Sequence, residues 1–341
     1  MQTGISAQDL LGDQICEENV YCRGADNCYS VNSCSAEVSG KKNKSYLLSL
    51  EHAIFKLFSS NLKLYSYCHL PGYLKHNPYI LGGYRVNLDL WSSTKTFLTW
   101  HNETINIWTH FLGFWLFLDL ALVSYNTWLA EGTIEEMTVT LCFFVSAMTM
   151  MAFSTIFHLY NCCSSECYDL TAKLDYTGIV VLIVGSYYPI LYYVYSCREH
   201  SIWRYGFGSM ITLLGLLTLK TIWTSGIHKP NGEKFRVSLF LGLGLFGVIV
   251  LPHVFSIYNE AHLLTLLSKL VLMGFFYTSG ALIYLKKYPE SIFPGKFDCF
   301  LASHNIWHCF VLAGAISHYY AMKYAQFVYR NVLMYYCFVN K

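Results

Sequence analysis

Seven apolar runs, each about as long as the ~20 residues a helix needs to cross a bilayer's hydrocarbon core, dominate this chain. They lie near residues 105–129, 137–159, 175–195, 203–223, 236–258, 263–285 and 301–321. Lipid offers the backbone no hydrogen-bonding partner, so runs of this kind must be helical and must pack together. Of the 341 residues, 54% are hydrophobic and only 13% charged, a balance too apolar for an ordinary soluble protein. The fold class that follows is an all-α membrane protein, a seven-transmembrane helix bundle. The aromatic share, with 28 Tyr and 23 Phe, suits residues that sit at membrane–water interfaces. A net charge of +2 gives no case for nucleic acid as a partner.

Orientation is read from the flanking cations, which favour the cytosolic side. With the N-terminus inside, nine Lys or Arg residues, from Arg85 to Lys296, flank the spans on the cytosolic side and five on the other. The bias predicts a cytosolic N-terminus and an outside C-terminus, the reverse of G-protein-coupled receptors. The chain then divides into a disordered cytosolic tail (1–45), a cytosolic juxtamembrane segment (46–104), the seven-helix domain (105–321) and a short extracytoplasmic tail (322–341). Within the second segment, Leu47, Leu50, Ile54, Leu57 and Phe58 follow helical spacing and predict an amphipathic helix over 46–67. Pro189 and Pro252 are expected to kink the third and fifth spans.

Four polar residues stand out against the apolar runs: His158 late in the second, Asp175 at the start of the third, and His304 and His308 early in the seventh. Ionisable groups at membrane depth are expensive and by default face the bundle interior. His304 and His308 are four apart, which sets both rings on one helix face. Taken singly, His158 reads as an interior histidine and the pair as a polar helix contact. The predicted topology, however, brings all four to one membrane level near the cytosolic interface. Three imidazoles with a fourth position open form a zinc constellation, and such a site brings a water pKa to roughly 7. Asp175 would then take a proton from that water or orient it, and Ser154, one turn before His158, could hydrogen-bond a substrate carbonyl.

Several blocks of sequence resemble one family. They are LeuProGlyTyrLeuLysHisAsnProTyrIleLeuGlyGlyTyrArg (70–85), AsnGluThrIleAsnIleTrpThrHisPheLeuGly (102–113), PheSerThrIlePheHis (153–158), LysLeuAspTyrThrGlyIle (173–179), TyrProGluSerIlePheProGlyLysPheAsp (288–298) and SerHisAsnIleTrpHis (303–308). Over about residues 46–330 the chain resembles the progestin and adipoQ receptor family, and within it the adiponectin receptors. The resemblance implies an N-in heptahelical bundle with Zn2+ on His158, His304 and His308, and Asp175 as the water-binding carboxylate. It also implies a ceramidase-like hydrolysis of lipid amides, in a cavity open to the cytosolic leaflet, and a role in lipid metabolism. Expected partners are membrane lipids (ceramide or fatty acid), an extracellular protein hormone and a cytosolic adaptor at the N-terminal region. The expected location is an integral, multi-pass protein of the plasma membrane rather than the Golgi.

Two departures from the family pattern are visible: Ser291 replaces an arginine after Pro-Glu, and the fifth-span proline is displaced to Pro252, beside His253. The Golgi-resident scaffold branch shares the AsnGluThr and AsnProTyrIle wording. The alternative reading is therefore a non-enzymatic endomembrane scaffold with structural zinc that recruits a soluble partner. Cys16, Cys22, Cys28 and Cys34 recur every six residues, a spacing poor for a zinc knuckle, and read as coincidence. Cys162, Cys163 and Cys167 form a juxtamembrane cluster where S-palmitoylation and an idle role are equally compatible. The sequons at Asn43 and Asn102 should stay bare in the cytosol.

Overall fold

The protein is seen in a computed structural model that describes residues 14–16, 20–22, 28–30, 62–197, 200–224, 232–257 and 261–333. The amphipathic helix expected over 46–67 lies almost wholly outside the described residues. In the segment expected to be disordered, three short strands, β1 (Gln14–Cys16), β2 (Val20–Cys22) and β3 (Cys28–Ser30), pair antiparallel in that order. Their register sets Cys22 opposite Cys28.

From Thr104 on, the described residues are mainly helical. Six spans are long and apolar enough to cross a membrane among the described residues: Thr104–Leu129, Ile134–Tyr160, Ser165–Val194, Ser201–Thr224, Glu233–Phe255 and Ala261–Lys286. A seventh long helix, Ser303–Val328, has the length, but His304, Asn305, His308 and His318 make it less apolar than the others. Polarity concentrated in one helix marks the one that carries the site.

Local chemistry sets where these helices start. Thr133 and Glu136 form a reciprocal capping box at the second span, with Glu136 N donating to Thr133 Oγ1 at 3.2 Å and Thr133 N to Glu136 Oε2 at 3.1 Å. Ser164 Oγ caps the third helix by accepting from Cys167 N at 3.2 Å. That cap starts the helix at Ser165, well before the apolar run, so Asp175 sits inside a helix and not at its beginning. Pro189 is accommodated within a continuous Ser165–Val194 helix. The fifth span is interrupted earlier than its proline predicts, between Gly244 and Gly247, and Pro252 lies inside the second piece, Gly247–Ile257. The break has a cause. Tyr187 of the third span inserts its hydroxyl there, donating to Gly244 O at 2.6 Å and accepting from Gly247 N at 2.8 Å. It satisfies the two backbone groups that the interruption frees, in a layer where water is scarce.

The second and third spans pack most intimately, each contacting the first or fourth span on its other side. Gly178 permits this approach, since a Cβ there would stand 2.8 Å from Met150 Cα. Phe117, Phe143, Met151, Ala315 and Met322, from the first, second and seventh spans, form the centre of the larger core. A smaller core, with Leu70, Leu74, Ile80 and Tyr84 against Phe157, Tyr168 and Ala302, closes one end of the bundle. There the stretch before the bundle and the link between the sixth and seventh spans lie side by side. Leu81 N donates to Asp298 Oδ1 at 2.9 Å, Gly295 N to Tyr79 O at 3.0 Å, and Asn77 Nδ2 to Glu290 Oε1 at 3.0 Å. Gly83, at φ 81°, holds the contact tight, because a Cβ would stand 2.9 Å from Cys299 Sγ. At the opposite end, Arg330 reaches back to buried Glu136, with Nε 3.2 Å from Oε1.

Candidate metal centre

His158 occupies the last turn of the second span and His304 and His308 the first turns of the seventh. The seventh helix starts where it does because Glu290, fully buried, accepts from Ser303 N at 2.7 Å and from the Ser303 hydroxyl. Asn305 adds a second cap, its Oδ1 accepting from Ala302 N at 3.0 Å. These contacts fix the height of His304 and His308 against the second span. The two imidazoles then meet His158: its Nε2 lies 3.3 Å from His304 Nε2 and 3.1 Å from His308 Nε2. One nitrogen from each ring falls within 4.8 Å of the others.

The protonation pattern shows what this convergence wants. His158 Nδ1 is 2.8 Å from Glu103 Oε2, and a carboxylate can only accept there, so the proton is on Nδ1 and Nε2 presents a lone pair. His308 Nδ1 is 3.2 Å from Thr109 Oγ1, whose own hydrogen goes to Ile105 O at 2.8 Å or Asn106 O at 3.0 Å. His308 Nδ1 therefore donates as well, and its Nε2 is also bare. Two bare Nε2 atoms facing each other across 3.1 Å are reconciled by a positive centre between them, a shared proton or a metal ion. Ligand nitrogens of a tetrahedral site with bonds of ~2.0–2.1 Å stand about 3.3 Å apart, close to what is seen here. The residues fit a metal ion.

Around the trio, a second set of groups holds the ligands. Glu103, at the mouth of the first span, receives Asn161 Nδ2 on Oε1 at 3.1 Å and Asn106 Nδ2 on Oε2 at 2.6 Å. Burial raises the Glu103 carboxyl, but its interaction with the adjacent His158 ring, with the hydrogen bond from Asn106 added, outweighs that and holds the group below the usual carboxylate range. Asn106 in turn accepts from Asn305 Nδ2 at 2.8 Å, which ties the first span to the seventh between the two ligands. Arg85, buried at 2% exposure, donates to His158 O at 2.6 Å and Leu159 O at 3.1 Å, closing the end of the second span. The His110 ring stacks on His308 with centroids 3.9 Å apart.

Asp175 and Ser154, expected beside the histidines, are both buried. Asp175 lines one cavity together with His158, His304, Tyr176, Tyr284 and Arg236. His253 does not reach it. Its Nδ1 is 3.0 Å from Tyr195 Oη at the far end of the third span, with Trp203 4.1 Å away ring to ring. Cys162 is buried beside Ser93 Oγ at 3.1 Å, and Cys163 and Cys167 are partly exposed free thiols. Glu103, Asn106 and Arg85 are the residues that sequence reading passed over as site groups. An acid at the mouth of an apolar run was the available signal for the first.

Residues 98–319, which include all three histidines, match the family described as haemolysin-III related. The chain is 34% identical over 268 residues to heptahelical transmembrane protein 1 of Arabidopsis thaliana, covering 76% of this chain and 80% of that protein. The chain belongs to this family, that of the progestin and adipoQ receptors. As a member it is also similar to the adiponectin receptor protein of Drosophila melanogaster, 35% identical over 280 residues, or 80% of this chain and 62% of that protein. The progestin and adipoQ receptor-like protein 1 of Caenorhabditis elegans is 32% identical over 282 residues, 82% of this chain and 64% of the relative. The family membership and the long apolar helices make this an integral, multi-pass membrane protein.

Proposed function

We propose that this receptor-family protein binds zinc at His158, His304 and His308 and hydrolyses a lipid amide of the ceramide type, under control of a protein ligand on the opposite face. The observation that carries the reading is the convergence of three imidazole nitrogens, two of which, on His158 and His304, line one cavity with the buried Asp175 carboxylate. An all-imidazole donor set suits zinc among the common ions, and three protein ligands leave a position free for chemistry. Bound zinc supplies a Lewis acid and brings the pKa of its water to roughly 7.

The chain's own residues supply the rest. Asp175 faces the cavity and can accept the proton of the attacking water and return it to the leaving amine. Ser154, buried one turn before His158, can donate its hydroxyl to the substrate carbonyl. The cation bias of the flanks supports a cytosolic N-terminus, which puts the cavity at the cytosolic leaflet. The resemblance to a Drosophila adiponectin receptor supports a protein hormone as the outside ligand and the plasma membrane as the location.

The test uses purified full-length protein. Zinc is measured per mole of chain, and ceramide hydrolysis is compared between wild type and His304→Ala. The reading expects about one zinc and joint loss of metal and turnover. Zinc without turnover in wild type returns the protein to the scaffold reading, and no zinc removes the metal centre altogether.

A further inference from the structure

The first span contributes no ligand to the histidine trio, yet its opening turn touches both helices that do. Glu103 Oε2 lies 2.8 Å from His158 Nδ1, and the same oxygen accepts from Asn106 Nδ2 at 2.6 Å. Asn106 Oδ1 accepts from Asn305 of the seventh helix at 2.8 Å, and Asn305 caps that helix. Asn161, just past the second span, binds the other Glu103 oxygen at 3.1 Å. One carboxylate is thus held at three points, one of them a single imidazole nitrogen. An imidazole so engaged keeps its proton on Nδ1, turns Nε2 inward and becomes a more basic ligand.

We infer that Glu103 is a positioning residue for the metal: through Nδ1 it fixes the tautomer and ring orientation of His158, and through Asn106 and Asn305 it sets the first span as the gauge between the second and seventh helices. The inference rests on the metal reading above. Arg85 fixes the backbone of the same histidine from the other side, so backbone and ring are held by separate groups. Losing Glu103 therefore leaves the Arg85 hold on the helix end in place and releases the ring, together with the Asn106 and Asn161 contacts.

The experiment measures zinc affinity of the full-length protein by competition with a chelator, beside the melting temperature of the metal-free form and the visible spectrum of the Co(II)-substituted form. Glu103→Gln is expected to weaken zinc roughly 10–100-fold and alter the Co(II) bands, in protein that its metal-free melting curve shows to be folded. Glu103→Asp, which keeps the charge, recovers part of the loss. Asn161→Ala, which touches only the far oxygen, weakens zinc severalfold in wild type and has no added effect in the Glu103→Gln background. Wild-type affinity and an unaltered Co(II) spectrum in Glu103→Gln overturn the inference. Should that variant fail to fold, the same result in Asn161→Ala does so. Absence of zinc from the wild type defeats the metal reading instead, so the two failures are distinguishable.

Discussion

His158 and His308 are 150 residues apart in sequence, and their Nε2 atoms approach to 3.1 Å while each ring is already committed through Nδ1 to another partner. A neutral imidazole whose Nδ1 is spent as a donor has only a lone pair to offer on the other side. The pair is stable as a ligand set and strained as a contact between neutral rings.

Metal removal should therefore destabilise the bundle and not merely inactivate it. Zinc that binds the folded state alone stabilises by mass action, about 4 kcal/mol at a thousandfold excess over Kd. Chelation is expected to lower the melting temperature of wild type by several degrees and to leave His308→Ala unmoved, since that variant has no closed site to lose. Thermal scans with and without chelator read this directly. An equal shift in both proteins would mean that the metal sits elsewhere.

Asp175 and the histidines should separate by phenotype. Asp175→Asn keeps the size and burial of the side chain but loses the proton acceptor, and its carboxylate is not among the three converging ligand groups. Zinc content is expected to stay near the wild-type value while lipid amide turnover falls roughly 10²–10⁴-fold, the usual weight of a general base. Wild-type turnover at full zinc occupancy would take the catalytic role from Asp175.

Arg85 is expected to matter for stability more than for metal. It is buried and donates to His158 O, Leu159 O and Thr96 Oγ1. Leu159 O retains Ser93 Oγ at 2.7 Å, but His158 O has no other side-chain donor among the described residues. Arg85→Met strands that carbonyl at a cost of roughly 1–3 kcal/mol. Denaturation of the metal-free and zinc-loaded forms should show similar losses, with zinc stoichiometry kept.

The sequence made the bundle legible because lipid leaves so few choices: runs of sufficient length must be helices, and polar groups within them must face inward. His158, His304 and His308 were legible for the same reason. What the sequence hid were contacts whose partners are distant in the chain and polar without being out of place. Glu103 sits just outside its apolar run, where an acid needs no explanation, and its role appears only when His158 is seen 2.8 Å away. Arg85 counted only as a flanking charge. The start of the third helix was hidden too, because the Ser164 cap extends it through polar turns that hydropathy does not register.

The interruption of the fifth span shows the same limit and yields a sharper test. Pro252 suggested a kink, but the break falls at Leu245 and Phe246, where Tyr187 supplies the missing hydrogen bonds. Tyr187→Phe keeps the ring contact with Phe246, at 5.5 Å between centroids, and removes only the hydroxyl. Gly244 O and Gly247 N then lose the partner seen here, each at roughly 1–3 kcal/mol in an apolar layer. The fifth span can answer by straightening, closing its own ladder across the break, or by opening locally. Hydrogen exchange over residues 239–251 distinguishes these outcomes: protection should fall if the break persists and rise if the helix closes, with the second and third spans unaffected. No change in that segment would mean that the hydroxyl does not hold the break, and the cause would pass back to the glycines and Pro252.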